Sequence, residues 1–518
     1  MNGAESLLET LGYNGVEVCF ANPGTSEMHF VAALDRNPGI RGVLCMFEGV
    51  ATGAADGYAR MTDKPATTLL HLGPGMANGL SSLHNALRAR SSMVNIIGDH
   101  ATFHKALDAP LTSDIEGAVR PFSHWVRTSP SANKIAQDAA DAIGVSLSGR
   151  IASLVLPADT AWAPADSYIA PPQASRMPAL ALDTEVIDAA AKNLLQNGDR
   201  TAILLGGRAL RDEQLSIAAE VVAATGATLL SETFAPRIQR GAGRHATMRV
   251  PYSLGAAQQL FRRFDSLILI DAKPPVAFFA YPDTSSLVAA PGTTFYEVSK
   301  PEADPVAALQ ALRFAVLGDG PKRATLVPSD LAPPARPSGT ITAEKLAAWL
   351  GGAIPENAIV LDESITTGQG FFAQTARARP HDYLASTGGA IGWALPVSAG
   401  AAIACPDRKV IALESDGSGM YMPQSLWTHA REGLDVVTLI FANRKYQILR
   451  NEMHNVGVYD FGQKASSLLD IDNPALDWVA ISQGMGVPAE RVETIEELSR
   501  AFDAAVADSG PRLIEVLL

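Results

Sequence analysis

The sequence predicts an α/β protein of three doubly wound domains, each with a parallel sheet covered by helices. Short apolar runs rich in β-branched residues alternate with Ala- and Leu-rich helical stretches. These runs are continuous, which is typical of strands buried on both faces. Two stretches of linker composition, Ala170–Pro178 and Val327–Ser338, divide the chain. We therefore expect domains at residues 1–169, 179–327 and 339–518, each large enough for an α/β fold.

Strand-like runs occur in all three blocks. In chain order they are Ala66–Gly73, Met93–Asp99, Ile151–Pro157, Thr201–Gly207, Ser266–Asp271, Ala358–Ser364, Val410–Gly417 and Val436–Asn443. Several of them end in polar or glycine-rich residues. Ligands of open parallel sheets bind beyond the carboxyl ends of the strands, so we expect the chemistry of this protein at those ends.

The composition argues against several classes of partner. The chain has 41 basic and 54 acidic side chains, a net charge of -13 and no basic run, so we expect no nucleic acid partner and no anionic membrane surface. No apolar stretch approaches the ~20 residues that a membrane span needs. The 3 cysteines lie far apart and the first residues lack a secretory pattern, so we expect a reducing, cytoplasmic location.

A metal and phosphate site is predicted in the third block. Asp416 follows one buried strand and Asn443 ends the next, so adjacent strand ends would bring two hard oxygen ligands together, as magnesium or calcium requires. Gly417 permits a tight turn before a helix predicted at Pro423–Glu432. The hydroxyl-rich turn Glu363–Gly368 is a second candidate phosphate cradle. The alternative for either half alone is an ordinary Asp-Gly turn, with Asn443 capping its own loop.

These motifs resemble those of the thiamine diphosphate-dependent enzymes of the pyruvate decarboxylase, benzoylformate decarboxylase and acetolactate synthase type. The resemblance rests on Ser415–Gly417 with Asn443, on Asn22–Glu27, on Phe47–Arg60 and on Gly388–Pro396, which occur in family order over essentially the whole chain. The register is most similar to benzoylformate decarboxylase. The resemblance implies that the first domain binds the aminopyrimidine, the third binds diphosphate, and the middle one is a Rossmann-like spacer.

The resemblance also implies how the cofactor and its metal are held. Ser415 replaces the usual first Gly of the metal motif and Arg444 replaces the usual second Asn, but the metal-ligating side chains remain. Magnesium would be bound by the Asp416 carboxylate, the Asn443 side chain and the Lys445 carbonyl. The other residues implied to contact the cofactor are Ser364, Thr366, Gly389, Ile391, Gly417 and Ser418. Among these, the Gly389 carbonyl would accept a hydrogen bond from the exocyclic nitrogen, and Ile391 would support the bent cofactor.

Glu48 is the catalytic carboxylate that the resemblance implies. It would hydrogen-bond N1′ of the aminopyrimidine, so that the exocyclic nitrogen can take the C2 proton of the thiazolium ring. The Ala and Gly residues that follow Glu48 would let a helix pack closely at a subunit interface. The alternative is an exposed Glu that opens a helix and is favoured there by the helix dipole.

Histidines are the natural proton donors for the later steps. His71 aligns with an active-site His of benzoylformate decarboxylase, a residue that acetolactate synthases lack. His100, His104 and His454 are weaker candidates, and solvated loop histidines are the alternative for them. Thr25 matches a Ser that contacts the substrate carboxylate, and the alternative is a hydroxyl that only stabilises its turn.

The middle block departs from the decarboxylase pattern. The second catalytic His of benzoylformate decarboxylase has no counterpart here, and Phe279 stands near its position. Phe278 and Phe279 could line an apolar substrate pocket, and the alternative is that they belong to the core. Some relatives carry FAD in this block. FAD is not favoured here, because no complete dinucleotide fingerprint is present.

The sequence therefore predicts a thiamine diphosphate- and Mg²⁺-dependent lyase. It would decarboxylate a 2-oxo acid, with carboligase capacity, in active sites shared between the subunits of a homodimer or homotetramer. The first alternative is an acetolactate synthase-like transferase that uses pyruvate as donor. The second is a cofactor-binding scaffold without catalysis. The sequence leaves open which 2-oxo acid and which acceptor are used.

Overall fold

The computed structural model describes residues 1–165, 171–320 and 333–518. The predicted domain ends at residues 169 and 327 lie outside the described residues, as do Ala170 and residues 327–332 of the two Pro-rich stretches. The described parts of those stretches, residues 171–178 and 333–338, contain no helix or strand.

The first sheet is parallel and has the strand order β2-β1-β3-β4-β6-β5. Its strands are β1 Val18–Ala21, β2 Arg41–Leu44, β3 Ala66–Leu70, β4 Met93–Asp99, β5 Trp125–Thr128 and β6 Ile151–Pro157. Its helices are α1 Gly3–Tyr13, α2 Met28–Leu34, α3 Glu48–Thr62, α4 Leu72–Ala89, α5 Thr102–Lys105, α6 Ile115–Val119, α7 Ile135–Ser146 and α8 Ala158–Trp162. The chain runs outward from β1 to β2 and then returns to β3, so β1 and β3 form a switch point with a crevice at their carboxyl ends.

The middle sheet is also parallel, with the order β10-β8-β7-β11-β12. The strands of this part of the chain are β7 Thr201–Leu205, β8 Thr228–Ser231, β9 Ile238–Arg240, β10 Met248–Arg249, β11 Ser266–Ile270 and β12 Thr294–Ser299. The helices are α9 Thr184–Asn197, α10 Asp212–Thr225, α11 Leu254–Phe261 and α12 Pro305–Leu317.

The third sheet has the order β17-β18-β16-β15-β13-β14-β9. Its own strands are β13 Ile359–Glu363, β14 His381–Ala385, β15 Val410–Ser415, β16 Val436–Ala442, β17 Ala489–Val492 and β18 Arg512–Leu517. The helices are α13 Ala343–Ala353, α14 Phe371–Gln374, α15 Ala394–Ala404, α16 Asp416–Gly419, α17 Ser425–Glu432, α18 Gln447–Asn455, α19 Gln463–Ser466, α20 Trp478–Gly484 and α21 Ile495–Ala507.

One strand crosses between blocks. β9 lies between β8 and β10 of the middle sheet in the chain but pairs antiparallel with β14 at the edge of the third sheet. Arg240 fixes it there, because its buried guanidinium lies 3.6 Å from the centre of the Phe372 ring and donates to the Phe372 carbonyl at 2.5 Å. The sequence did not predict this pairing, since a three-residue strand carries almost no pattern.

The predicted fold class is confirmed, and each of the eight predicted runs contains a strand. Most runs overshoot the strand at its carboxyl end, where the polar residues belong to the following turn. The helix predicted at Pro423–Glu432 begins later, at Ser425. No helix of the described residues is long and apolar enough to cross a membrane.

The packing of α3 corrects one expectation. Its small residues were expected at a subunit interface, but they pack against α15 of the same chain. A Cβ at Gly57 would overlap the Val397 carbonyl oxygen, and a Cβ at Gly400 would overlap the Ala54 carbonyl oxygen. The two helix backbones are therefore in direct contact, and the first and third domains share an apolar core around them.

Candidate active site

Glu48 is the first residue of α3, and its side chain is buried. The Asn78 side chain donates a hydrogen bond to Glu48 Oε2 at 3.0 Å. Gly75, one turn earlier on α4, lies against the other oxygen, since a Cβ there would sit 2.8 Å from Oε1. Asn78 thus orients the carboxylate, and the lack of a side chain at Gly75 leaves space beside Oε1. The sequence reasoning missed both residues, although both lie in the Gly-rich stretch after His71.

His71 lies beside Glu48. It precedes α4, and the same Cβ at Gly75 would sit 3.1 Å from the His71 Cβ and 3.3 Å from the Glu48 carboxyl carbon. His71 Nδ1 is 2.8 Å from Oε2 of Glu27, a buried carboxylate in the 3-10 turn Thr25–Glu27. The structure therefore brings the predicted residues Glu48 and His71 together and adds Glu27.

The other predicted residues of the first domain lie around this crevice. Thr25 is exposed at the start of the turn that carries Glu27. His100 follows β4, and its ring centre is 5.2 Å from that of His104 on α5. No group of three or more metal-binding side chains exists among the described residues, so this His pair gains no third ligand.

Asp416 and the turn at Asn443 meet as the sequence predicts. β15 and β16 are adjacent and parallel, and the Arg444 amide donates to Asp416 Oδ2 at 2.6 Å. Asn443 Oδ1 accepts from the Lys445 amide at 3.1 Å, which orders the turn. Burial raises the pKa of Asp416 to about 6, and hydrogen bonds from the Arg444 and Gly417 amides oppose that rise.

This donor set fits a divalent cation. A buried carboxylate with a raised pKa lacks a positive partner, and a bound cation would supply one. The amide oxygen of Asn443 and the carbonyl of Lys445 are hard donors of the kind Mg²⁺ prefers. The Tyr446 ring packs directly on Gly417, because a Cβ there would sit 2.5 Å from the ring.

In the two predicted phosphate-binding turns, serine hydroxyls donate hydrogen bonds to carboxylates of the preceding strands. The Ser364 hydroxyl and the Tyr383 hydroxyl both donate to Asp362, and the Ser418 hydroxyl donates to Glu414. Thr366 is half-buried in the same turn as Ser364. The two serines thereby acquire fixed positions beside the strand ends of β13 and β15, which fits a diphosphate cradle.

A buried carboxylate pair underlies this cradle. Glu363 and Glu414 face each other in the β13–β15 register. Burial raises the pKa of Glu363 to about 7 and that of Glu414 well above its ordinary value. Among the described residues, Glu363 Oε1 and Glu414 Oε2 have no other hydrogen-bond partner. A proton held between the two carboxyl groups satisfies both oxygens.

The turn of Gly389 and Ile391 is held by the far end of α4. The Asn85 side chain binds both backbone groups of Ala390: it accepts from the amide at 3.1 Å and donates to the carbonyl at 2.8 Å. Gly389 is exposed and has φ +77°, a conformation that favours glycine. Ile391 is half-buried, as a residue that supports a ligand from one side would be.

An aromatic group from the middle domain covers this turn. Phe278 lies over Gly389, because a Cβ there would sit 2.6 Å from its Cζ. Phe279 packs edge-on against Phe278, with ring centres 4.8 Å apart, and is 52% exposed. His454 is exposed on α18 and stacks on Tyr459, so it is not part of the group around His71 and Glu48.

α4 separates the two halves of the predicted cofactor site within one chain. Glu48 contacts Asn78, whereas the Gly389 turn contacts Asn85 at the far end of α4. Just before that turn, Thr387 Oγ1 accepts from Arg60 at 3.2 Å, and Arg60 lies about 18 Å further along α3 than Glu48. Both halves would have to meet on one pyrimidine ring. This separation matters for the assembly proposed below.

Comparison with known proteins identifies the family. A profile described as thiamine pyrophosphate enzyme, N-terminal TPP binding domain matches residues 1–114, and one described as thiamine pyrophosphate enzyme, C-terminal TPP binding domain matches residues 365–516. A Mycobacterium tuberculosis protein provisionally named acetolactate synthase large subunit IlvX is 49% identical over 522 residues, which cover 100% of this chain and 99% of that protein. The chain belongs to the thiamine pyrophosphate enzyme family.

Members of this family with different activities are similar to the chain. Benzoylformate decarboxylase of Pseudomonas aeruginosa is 27% identical over 530 residues, covering 98% of this chain and 97% of that protein. The structure of Rhodococcus jostii RHA1 thiamine diphosphate-dependent 4-hydroxybenzoylformate decarboxylase superposes with a TM-score of 0.84 at 23% identity, covering 99% and 98% of the two chains. This protein is thus a thiamine pyrophosphate-dependent enzyme with the decarboxylase fold, from a family that includes decarboxylases and acetolactate synthases.

Proposed function

We propose that the protein is a thiamine diphosphate- and Mg²⁺-dependent, non-oxidative decarboxylase of a 2-oxo acid, with carboligase capacity. The observation that supports it best is the grouping of two different proton carriers in one crevice. A buried carboxylate, Glu48, and a partly exposed imidazole, His71, lie on either side of Gly75 at the β1/β3 switch point. A transferase needs the first of these groups, whereas a decarboxylase also needs a donor to protonate its product.

Different residues of the chain carry out proton transfer and cofactor binding. When bound, thiamine diphosphate supplies a carbanion at C2 that adds to the oxo carbon and later stores the electrons released by loss of carbon dioxide. Glu48, oriented by Asn78, holds a proton at Oε1 for the aminopyrimidine. His71 delivers a proton from Nε2 to the substrate-derived carbon. Asp416, Asn443 and Lys445 would hold Mg²⁺ against the diphosphate, and Ser364 and Ser418 would line its cradle.

The substrate side of the site is open and partly aromatic. Thr25 presents an exposed hydroxyl that suits the substrate carboxylate, on the turn whose Glu27 contacts His71, and Phe278 and Phe279 offer apolar walls. These features support an apolar acyl group on the 2-oxo acid. The aromatic cluster continues through Phe234 and Tyr252, whose ring centres lie 5.5 and 5.7 Å from that of Phe278.

An assembly of at least two subunits accompanies this proposal. The separation along α4 supports a cofactor bound between the first domain of one subunit and the third domain of its partner. Large apolar side chains next to both halves support a covered surface: Met46 is 55% exposed, Met420 39% and Tyr421 54%. A homodimer or homotetramer would bury them.

The second candidate is an acetolactate synthase-like transferase that uses pyruvate as donor. The similarity to the Mycobacterium tuberculosis protein favours it. The two candidates differ in their products. With a decarboxylase, incubation of the holoenzyme with single 2-oxo acids yields the aldehyde and carbon dioxide in equal amounts. Acetolactate from pyruvate without free aldehyde would instead establish the transferase.

A further inference from the structure

Glu27 has no role in the function described so far, yet its carboxylate is tied to the proposed proton donor. Glu27 Oε2 lies 2.8 Å from His71 Nδ1. The Glu27 side chain is fully buried, whereas that of His71 is 25% exposed. Nδ1 is thus engaged on the inner side, and Nε2 is the ring nitrogen left for the crevice.

The fold is built around this pair. A Cβ at Gly24 would overlap the His71 ring, and a Cβ at Gly98 would overlap Glu27 Oε1. The Gly24 amide also donates to Glu27 Oε2 at 2.7 Å. The pair therefore occupies a niche between the ends of β1, β3 and β4 that side chains at these two glycines would close.

The backbone beside His71 is strained in the same place. Leu72 is fully buried and has φ +46°, in the left-handed region that non-glycine residues rarely adopt. Backbone strain of this kind collects at functional sites. In this turn the His71 carbonyl accepts from the Gly75 amide at 2.8 Å, which fixes the point from which the side chain leaves the backbone.

His71 is the main electrostatic partner of Glu27. Burial raises the pKa of Glu27, and the hydrogen bond from His71 is the largest effect that opposes this rise. Among the described residues, Glu27 Oε1 has no hydrogen-bond partner. The Glu27 carboxylate therefore depends on His71 and the Gly24 amide for its stabilisation.

We propose that Glu27 is a positioning residue that holds the His71 proton on Nδ1 and directs Nε2 at the substrate. This inference rests on the proposed function. In the proton-transfer step the Nε2–H bond breaks, its electron pair stays on Nε2, and the proton goes to the substrate-derived carbon. Nδ1–H remains hydrogen-bonded to the ionised Glu27, which keeps its charge throughout.

The test uses two variants of the holoenzyme. Glu27→Gln keeps an oxygen that accepts from both Nδ1–H and the Gly24 amide, whereas Glu27→Ala removes the acceptor. For Glu27→Ala we expect kcat to fall by about 100-fold with KM changed less than about threefold, and for Glu27→Gln we expect most of that loss to be restored. Glu220→Ala, which breaks a buried ion pair with Arg313 in the middle domain, should leave kcat near that of the wild type.

A spectroscopic readout separates positioning from simple stabilisation. Solid-state ¹⁵N NMR of histidine-labelled protein, with His71 assigned by its loss in His71→Asn, reports which ring nitrogen carries the proton when the ring is neutral. We expect Nδ1–H in the wild type and in Glu27→Gln, and a mixture of tautomers in Glu27→Ala. A bare Nδ1 in the wild type overturns the proposal even if the variants fail to fold, and so does equal loss of kcat in both variants.

The same samples distinguish this inference from the proposed function. Exchange of the C2 proton of bound thiamine diphosphate should be unchanged in Glu27→Ala, because that step depends on Glu48. Exchange without decarboxylation of any 2-oxo acid by the wild type would defeat the proposed function, while the proton position on His71 would still decide the role of Glu27.

Discussion

Glu48 and Glu27 are both buried in the first domain, but their partners give them different chemistry. Glu48 contacts a neutral amide and has space beside its other oxygen, so it can exchange a proton with a ligand. Glu27 contacts an imidazole and a backbone amide in a closed niche, so it can only orient its neighbour. At the scale of single residues, the site is therefore defined by what each carboxylate touches.

Asn78 should affect cofactor activation through Glu48. Asn78→Ala removes the donor that orients Glu48 Oε2, and we expect C2 proton exchange of bound thiamine diphosphate to slow by about tenfold. NMR in deuterated buffer measures the rate. Asn197→Ala, an exposed substitution at the end of α9, is the matched control and should exchange like the wild type. An unchanged rate in Asn78→Ala would remove Asn78 from the site.

His429 should make the protein sensitive to acid. Burial lowers its pKa to about 4, while the unfolded chain binds the proton near pH 6.5. The contribution of His429 to the free energy of unfolding is therefore complete above about pH 6.5 and is lost as the pH falls towards 4. At pH 5 the loss is about 2 kcal/mol. His381, whose pKa burial and Arg240 lower to about 3, acts in the same direction.

Urea unfolding at pH 8 and pH 5 measures this effect. His429→Gln should reduce the difference between the two pH values, whereas His29→Gln, on the exposed face of α2, should retain it. Identical pH dependence in the wild type and His429→Gln would contradict the assignment.

At the scale of elements, pairs of consecutive strands were predictable and long-range neighbours were not. Continuous apolar runs revealed the long buried strands, and a single strand–helix–strand unit was enough to place Asp416 beside Asn443. Glu27 lies in the motif Asn22–Glu27, but its partner His71 follows a different strand, about forty residues later in the chain. Only the order of the strands in the sheet shows that the two residues meet. The pairing of β9 could not be predicted, because it depends on contacts of the buried Arg240 and not on a pattern of apolar residues.

The contact between α3 and α15 should tolerate no added side chain. In Gly400→Ala the new Cβ would overlap the Ala54 carbonyl oxygen, so we expect a loss of about 2 kcal/mol or more in the free energy of unfolding. Gly255→Ala is the control, because Gly255 lies in α11 with open space around its Cβ position, and we expect it to be neutral or to stabilise by about 0.5 kcal/mol. Equal thermal midpoints for the two variants would contradict the packing.

At the scale of the whole molecule, the residues proposed to bind the cofactor form two separate groups in the described chain. The sequence predicted both halves by resemblance. It could not show that α4 holds them apart, because that depends on which residues of the helix each half contacts. The proposed assembly follows from this arrangement and can be tested without a structure of the oligomer.

Complementation between two inactive variants tests that assembly. Glu48→Gln and Asp416→Ala each damage a different half-site. If each site takes its halves from different subunits, coexpression should restore about a quarter of the wild-type activity, since half of randomly paired dimers carry one intact site. Separately purified variants mixed at the assay stage are the control. Activity no higher than the sum of the single variants would place both halves of each site in one chain.

The most direct test of the central claim is C2 proton exchange of thiamine diphosphate bound to the wild type and to Glu48→Gln, followed by NMR in deuterated buffer. The Gln side chain occupies the same space and can still contact Asn78, so cofactor binding should persist. The account predicts fast exchange in the wild type and a loss of about 100-fold or more in Glu48→Gln. Equal exchange in the two proteins, with cofactor bound to both, would contradict it.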